Sequence, residues 1–458
     1  MTRKSIFYAF ILIVLASGGI LATIFRPLDL GLLAYVQSGD IYIKVLPRGQ
    51  ALRLTHDGLN STPQISPSGK WLAFRKDDHR LWIIKSDGQS ALLVDPDKVT
   101  HYKWAPGSDL LAFGARGDLR ILVAGQGDSC QIVPSPPQEN TGVREFLWNP
   151  DGKWICYEYT EKRDVAEGEW PWRNSIRKVN IEGGNSEEII AYPPPDEEGA
   201  PGNTALAAWI GSRIYLWQCE IMSVSIMADG CPLFSLDFDK KQNDVGVVSL
   251  LYPDFLSFSP DSKMLAVSEG SDRLTWTNKR VALINEVSQE KKILTAPEVT
   301  AFSPTWSPDG SHLAYVAGPD IGSDFIGESG PLAGMAKRRI WVMRADGSEQ
   351  QQLTGDGGYR EERPIWLANG KHILFARLDE QDHVSLWLVQ KDGKSLQRVT
   401  DALSSHLTKY EIRDYYGKLS GEKLYDLSDG HRFGECKTVG TIKLVPTLPG
   451  SITCAKIL

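Results

Sequence analysis

The sequence predicts an all-β protein, a β-propeller of eight four-stranded antiparallel blades, preceded by one N-terminal transmembrane helix. Three observations carry this prediction. First, one short phrase recurs, a Trp or apolar residue, a tight Pro/Asp/Gly/Asn turn and an apolar run: Ile65-Ser-Pro-Ser-Gly-Lys-Trp-Leu-Ala-Phe74, Trp104-Ala-Pro-Gly-Ser-Asp-Leu-Leu-Ala-Phe113, Trp148-Asn-Pro-Asp-Gly-Lys-Trp-Ile-Cys-Tyr157, Phe258-Ser-Pro-Asp-Ser-Lys-Met-Leu-Ala-Val267, Trp306-Ser-Pro-Asp-Gly-Ser-His-Leu-Ala-Tyr315 and Trp366-Leu-Ala-Asn-Gly-Lys-His-Ile-Leu-Phe375. Second, most copies are followed by another apolar run, such as Arg80-Leu-Trp-Ile-Ile-Lys85 or Arg339-Ile-Trp-Val-Met-Arg344, and then by a turn such as Ser86-Asp-Gly88 or Ala345-Asp-Gly347. Third, the period is tens of residues, as expected of units that cannot bury an apolar face alone and must stack.

Taken in order, Arg3-Lys4 precedes an uncharged stretch from Ile6 to Phe25, which Arg26 closes. A helix of that length spans ~30 Å, enough for a bilayer core. The basic residues ahead of it favour an inside N-terminus, which places the rest of the chain outside the cytoplasm. A cleaved signal peptide is the rival, but its apolar region usually runs to only ~7 to 15 residues. Residues 1–30 are therefore read as an anchor and short joint, 31–416 as the propeller, and 417–458 as a tail that could pack on the propeller edge.

Leu32–Val36, Asp40–Lys44 and Ala51–Thr55 supply the last three strands of a blade that lacks its first. Ring closure removes exposed edges, so a C-terminal segment should complete this blade, with Tyr410-Glu-Ile-Arg-Asp-Tyr-Tyr416 as the candidate. In each full blade the Pro presets φ and the Asp-Gly or Asn-Gly accepts a hairpin turn. Fourth strands often end in Leu-Thr or Val-Thr, as at Leu353-Thr354 and Val399-Thr400. Trp209–Trp217 reads as a degenerate hairpin, with Ser223–Met227 as its third strand, Ala228-Asp-Gly230 as the next turn and Leu233–Leu236 as its fourth. Eight units of roughly 48 residues result, within the usual propeller range; six blades would be implausibly long.

The pattern Trp-Ser-Pro-Asp-Gly-x-x-Leu-Ala-Tyr, then Ile-Trp-Val-Met-x-x-Asp-Gly, then x-Gln-Leu-Thr resembles the repeats of TolB-like and WD-like propellers. It also resembles the propeller beside the hydrolase domain of prolyl oligopeptidase relatives. The likeness covers nearly the whole chain after residue 30. It implies a propeller, and functions that range from protein-binding modules and peptidase filters to carbohydrate-active enzymes, so the fold does not fix an activity.

Composition is ordinary for a globular ectodomain. Net charge is -7, with 42% apolar and 23% charged residues, and nothing in it calls for nucleic acid. Six cysteines invite a disulfide count. The repeat register argues against Cys219 with Cys231, separated by a strand, and against Cys130 with Cys156, in different blades. Only Cys436 and Cys454 look free to pair, with unpaired thiols throughout as the alternative.

Turns between strands one and two and between three and four share one face, and these are short. The long stretches Glu158–Asn174, Ala191–Asn203, Asp239–Asp254, Glu269–Lys279 and Ala317–Arg338 fall on the other, which becomes the expected recognition surface. There, Glu167-Gly-Glu-Trp-Pro-Trp-Arg173 offers Trp170, Trp172 and Arg173 as an aromatic platform for a sugar ring or a protein hot spot. The alternative is a loop tucked over its own blade. Gly357-Gly-Tyr-Arg-Glu-Glu-Arg363 could project Tyr359 and Arg360 toward the axis, or its charges could form a solvated network. The run Lys337-Arg338-Arg339 could meet an acidic partner or simply be solvated.

The search for catalysis mostly returns blanks. There is no Gly-x-Ser-x-Gly elbow and no room after the eighth blade for an α/β-hydrolase domain. The eight His residues show no metal-ligand spacing, so neither a metal nor a cofactor is expected. Catalytic groups from different blades could still converge in the channel. The leading expectation is a membrane-anchored, monomeric, non-catalytic propeller outside the cytoplasm that binds a protein, peptide or glycan through its long-loop face. The alternative is an extracytoplasmic hydrolase or lyase with its site in the central channel.

Overall fold

In the computed structural model, residues 30–403 are described, except 78, 136–140, 167–170, 184, 193–202, 220–229, 240, 323–329, 356, 382 and 402, together with the backbone of 425–427, 443–446 and 452–455. Eight four-stranded antiparallel sheets form eight blades. Numbered along the chain, blade 2 runs Asn60–Ile65, Trp71–Lys76, Arg80–Lys85, Leu92–Asp95, and blade 3 runs Val99–Trp104, Leu110–Ala115, Asp118–Val123, Cys130–Val133. Blade 4 is Gly142–Trp148, Trp154–Lys162, Trp172–Asn180, Glu187–Ala191, and blade 5 opens with Asn203–Ile210 and Arg213–Cys219. Blade 6 is Leu256–Phe258, Met264–Glu269, Arg280–Asn285, Lys291–Ile293, blade 7 is Val299–Trp306, His312–Pro319, Arg339–Arg344, Gln351–Gln352, and blade 8 is Arg360–Trp366, His372–Leu378, Val384–Gln390, Gln397–Arg398. First strands of neighbouring blades touch one another, which makes them the inner ring around the channel.

Period-two alternation explains the stacking. Along the second strand of blade 2, Leu72 and Phe74 pack toward blade 1 while Trp71 and Ala73 pack toward blade 3. In blade 3 the same alternation sends Leu111 and Phe113 to blade 2, and Leu110 and Ala112 to blade 4. Each Leu-Ala-Phe run thus fills two blade interfaces at once, which is why it recurs. Cys156 takes the place of the Ala in blade 4 and is a buried free thiol.

The turns behave as their chemistry requires. Asp309 accepts from Ser307 Oγ at 2.6 Å and from the Ser311 N–H at 3.0 Å, and Gly310 takes the φ of +70° that closes the hairpin. His312 and His372 occupy equivalent positions, each opening a second strand.

Three expectations need correction. Blade 1 is closed by Tyr425–Leu427, antiparallel to the strand Leu32–Gln37, and not by residues 410–416, which lie outside the described residues. In blade 5 the third strand is Cys231–Asp237 and the fourth is Gln242–Ser249. The proposed third strand at 223–227 falls outside the described residues, and half of the stretch from Asp239 to Asp254 is the fourth strand rather than insertion. That hairpin has no Pro-Asp-Gly turn, and Ala228-Asp-Gly230 imitates the later turn of other blades. Finally, Cys130 and Cys231 are both disulfide-bonded. The corrected strand order removes the intervening strand that had argued against Cys231. The short hairpin of Lys443–Pro446 and Ile452–Ala455 lies with its second strand against Cys130–Val133.

Among the described residues no helix is long and apolar enough to cross a membrane. The segment Ile6–Phe25 falls outside them.

Candidate functional site

Two polar assemblies stand out. The first borders the channel where blades 3, 4 and 5 meet. His101 and Glu145 hold the same place in consecutive repeats, three residues before Trp104 and Trp148, and this register brings them together. His101 Nδ1 lies 3.0 Å from Glu145 Oε2, and Lys103 Nζ donates to Glu145 Oε1 at 3.0 Å and to the Phe146 carbonyl at 2.8 Å. Burial pushes the Glu145 carboxyl up, but the His101 hydrogen bond, the Lys103 charge and the Phe146 N–H outweigh it and hold it down to about 2.

Glu158, on the second strand of blade 4, behaves in the opposite way. One oxygen accepts from the Leu206 N–H at 2.7 Å, where the inner strand of blade 5 bulges between Leu206 and Ala208. Burial drives its carboxyl up to about 7; the Leu206 N–H, Arg144 and His101 oppose this, and Glu145 reinforces it. Two neighbouring carboxyls are therefore pushed apart, one ionised and one able to hold a proton near neutrality. Arg144 is exposed on the bulge of the inner strand between Val143 and Phe146. Tyr192 and Gln218, joined at 3.1 Å, complete the rim.

The second assembly underlies the long-loop face of blades 6 to 8. Lys337-Arg338-Arg339 is not a solvated run: Arg338 and Arg339 are 1% and 3% exposed. Arg339 donates to the carbonyls of Ala336 (2.9 Å), Arg338 (2.7 Å), Gly355 (2.9 Å), Gly357 (3.0 Å) and Tyr359 (2.9 Å), which fixes the segment that links blades 7 and 8. Arg338 reaches Glu362 at 3.0 Å and Thr275 Oγ1 at 2.8 Å, and burial lowers its guanidinium to about 10. Arg377 donates to Glu361 Oε1 from Nε (3.0 Å) and Nη2 (2.6 Å), and it stacks under the Tyr359 ring at 3.8 Å. Thr354 Oγ1 and the Ile340 N–H serve the other Glu361 oxygen. In blade 6, Lys279 is fully buried and donates to the Ser271 carbonyl at 2.8 Å. A Cβ on Gly270 would stand 1.8 Å from the Asn278 carbonyl, so that loop requires glycine.

The expected site residues are distributed as follows. Trp170 lies outside the described residues. The Trp172 ring sits under the Lys162 ammonium at 5.8 Å. Arg173 is held by Glu161 and Glu188, both at 2.7 Å, in a network shared with Arg177. Tyr359 is partly exposed above Arg377. Arg360 is only 6% exposed; its Nη1 points at Met335 Sδ at 3.6 Å, its Nε lies 3.5 Å from Glu362, and its Nε and Nη2 have no hydrogen-bond partner among the described residues. Glu361 and Glu362 are fully buried, so the charges of this segment are not a solvated network. Sequence reading did not single out His101, Lys103, Arg144, Glu145 and Glu158. Counting back from each repeat Trp would have aligned the first and fourth of these.

No protein-family model matches the chain. An uncharacterised protein of Agrobacterium fabrum is 24% identical over 159 residues, which cover 35% of this chain and 47% of the relative, so the chain spans about half the length of that curated relative. Among solved structures, dipeptidyl peptidase 4 of Porphyromonas gingivalis is similar with a TM-score of 0.56 and 10% identity, over 84% of this chain and 61% of that one. A TolB candidate from Agrobacterium tumefaciens aligns over 81% of this chain and 88% of its own, with 15% identity and a TM-score of 0.33. Oligogalacturonate lyase of Vibrio parahaemolyticus aligns over 75% and 93%, with 14% identity and a TM-score of 0.46. At these identities the likeness is one of fold alone.

Proposed function

We propose that this chain is a membrane-anchored, extracytoplasmic propeller that binds a protein, peptide or glycan through its long-loop face. The observation that carries this reading is the Arg339 guanidinium with its carbonyl shell. It holds the carbonyls of Gly355, Gly357 and Tyr359 from a buried position, and a loop fixed in advance loses less entropy when it binds. Tyr359, partly exposed, sits on that platform over the Arg377 guanidinium and offers its ring to a ligand. The disulfides at Cys130 and Cys231 support an oxidising compartment, and Arg3-Lys4 supports the orientation.

The test is site-specific photo-crosslinking in intact cells, with the crosslinker at Tyr359 on the long-loop face or at Ser348 on the trimmed face. Discrete adducts from Tyr359 alone are expected. Adducts from Ser348 alone, or from neither site, would overturn the reading. A second reading, a hydrolase or lyase acting in the channel, is favoured by the convergence of His101 with Glu145 and Glu158. It predicts glycan or peptide turnover that His101→Ala and Glu158→Gln each abolish.

A further inference from the structure

The channel wall of blades 3 to 5 carries an exposed arginine, Arg144, that acts on Glu158 only through its charge. Lys103 is committed to Glu145 and to the Phe146 carbonyl, and His101 to Glu145. Arg144 makes no hydrogen bond or ion pair among the described residues, although it stands on the inner ring beside them. The acid nearest in effect, Glu158, has one oxygen on the Leu206 N–H, and among the described residues the other accepts no hydrogen bond. We propose that this wall is an anion subsite, in which Arg144 holds a carboxylate, or a phosphate or sulfate group, of a ligand in the channel beside Glu158.

The groups facing Glu158 set the sign of the pH effect. They are Arg144 and Glu145 from the inner strand of its own blade, His101 from blade 3, the Leu206 N–H from blade 5, Tyr192 from the link between blades 4 and 5, and Cys156 from its own strand. An anion arriving among them repels an ionised Glu158 and accepts from a protonated one. Binding therefore takes up a proton and strengthens as pH falls through about 7. If only the protonated form binds, affinity should be about tenfold higher at pH 6 than at pH 8. The subsite is separate from the loop platform of blades 6 to 8, so its failure would leave that reading standing.

Isothermal titration of the full-length protein with acetate and with sulfate, at pH 6 and pH 8 and in two buffers of different ionisation enthalpy, tests this. Saturable 1:1 binding of at least one anion is expected, with proton uptake and about tenfold weakening at pH 8. Preference for acetate would identify a carboxylate ligand, and preference for sulfate a phosphate or sulfate ester. Arg144→Gln should abolish binding with an unchanged melting temperature, since the side chain is exposed. Glu158→Gln should bind and lose the pH dependence, because its amide keeps a donor and cannot ionise. The proposal is overturned by the absence of saturable binding, by binding that survives Arg144→Gln and so marks an adventitious ion only, or by a pH slope that persists in Glu158→Gln.

Discussion

The indole N–H of Trp148 donates to the Lys103 carbonyl at 3.0 Å, from the inner strand of blade 4 to that of blade 3. The same bond recurs from Trp104 to Gln64, from Trp306 to Ser257 and from Trp366 to Thr305, each at 3.0 Å. In every case the acceptor precedes the equivalent phrase position of the preceding blade. The Trp that opens the repeat is therefore a blade-to-blade fastener, and its aromatic body fills the interface beneath. Trp148→Phe keeps most of the apolar area and strands the Lys103 carbonyl. Chemical denaturation should show a loss of about 1 to 2 kcal/mol. Trp209, whose N–H turns back to the Gly211 carbonyl of its own hairpin, should tolerate the same change better.

Cys231 has a partner that the strand register identifies. Trp217 and Leu233 are the last pair of that antiparallel ladder, and the same register carried two residues further puts Cys231 opposite Cys219. Directly opposed residues have Cα atoms ~4.5 to 5.5 Å apart, within the range of a disulfide. Peptide mapping without reductant should recover Cys219 linked to Cys231. For Cys130 the strand lying alongside carries Cys454, so that fragment should link to the C-terminal hairpin rather than leave Cys436 with Cys454. Losing the short-loop bridge should cost on the order of 3 kcal/mol.

These cases show what local sequence can and cannot convey. Where Trp-x-Pro-Asp-Gly occurs, in blades 4 and 7, and in its variants Ile65-Ser-Pro-Ser-Gly69 of blade 2 and Trp104-Ala-Pro-Gly-Ser108 of blade 3, turn chemistry and period-two apolarity fix strand, register and interface together. Blade 5 has the alternation but not the turn, so its third strand was placed too early. Lys337-Arg338-Arg339 reads as solvated because the carbonyls that receive Arg339 come from residues up to twenty positions later in the chain. His101 and Glu145 are legible only across repeats, since their spacing along the chain means nothing until the blades are superposed.

Glu158 gives a pH dependence of definite sign. The folded protein keeps its proton up to about pH 7, whereas the unfolded chain releases it near the ordinary glutamate value of 4.5. Between those values the folded state binds more protons, so this group's contribution to stability falls as pH rises and is fully lost above about 7. Glu145 works in the other window, adding stability above about 4.5 that disappears as pH drops toward 2. In thermal melts, Glu158→Gln should match wild type near pH 4.5 and exceed it at pH 8. The gain should be on the order of 2 kcal/mol, below the full linkage value because the side chain is partly exposed.

Arg339 offers the sharpest test of whether the loop platform is fixed in advance. Its planar fork reaches five carbonyls on both sides of the blade 7 to blade 8 link, and a lysine ammonium, with three donors at one point, cannot span them. Arg339→Lys keeps the charge but strips the Gly357 carbonyl of its donor and leaves the Gly355 carbonyl to the Tyr359 hydroxyl, so the segment should open locally while the blades persist. Hydrogen exchange should then accelerate at 355–359 by tenfold or more, which corresponds to about 1.4 kcal/mol of local opening free energy, with little change along the strand Arg360–Trp366. If exchange quickens equally throughout blade 8, Arg339 is a general support for that blade. If nothing changes, the backbone of the link holds itself and the guanidinium is dispensable to the platform.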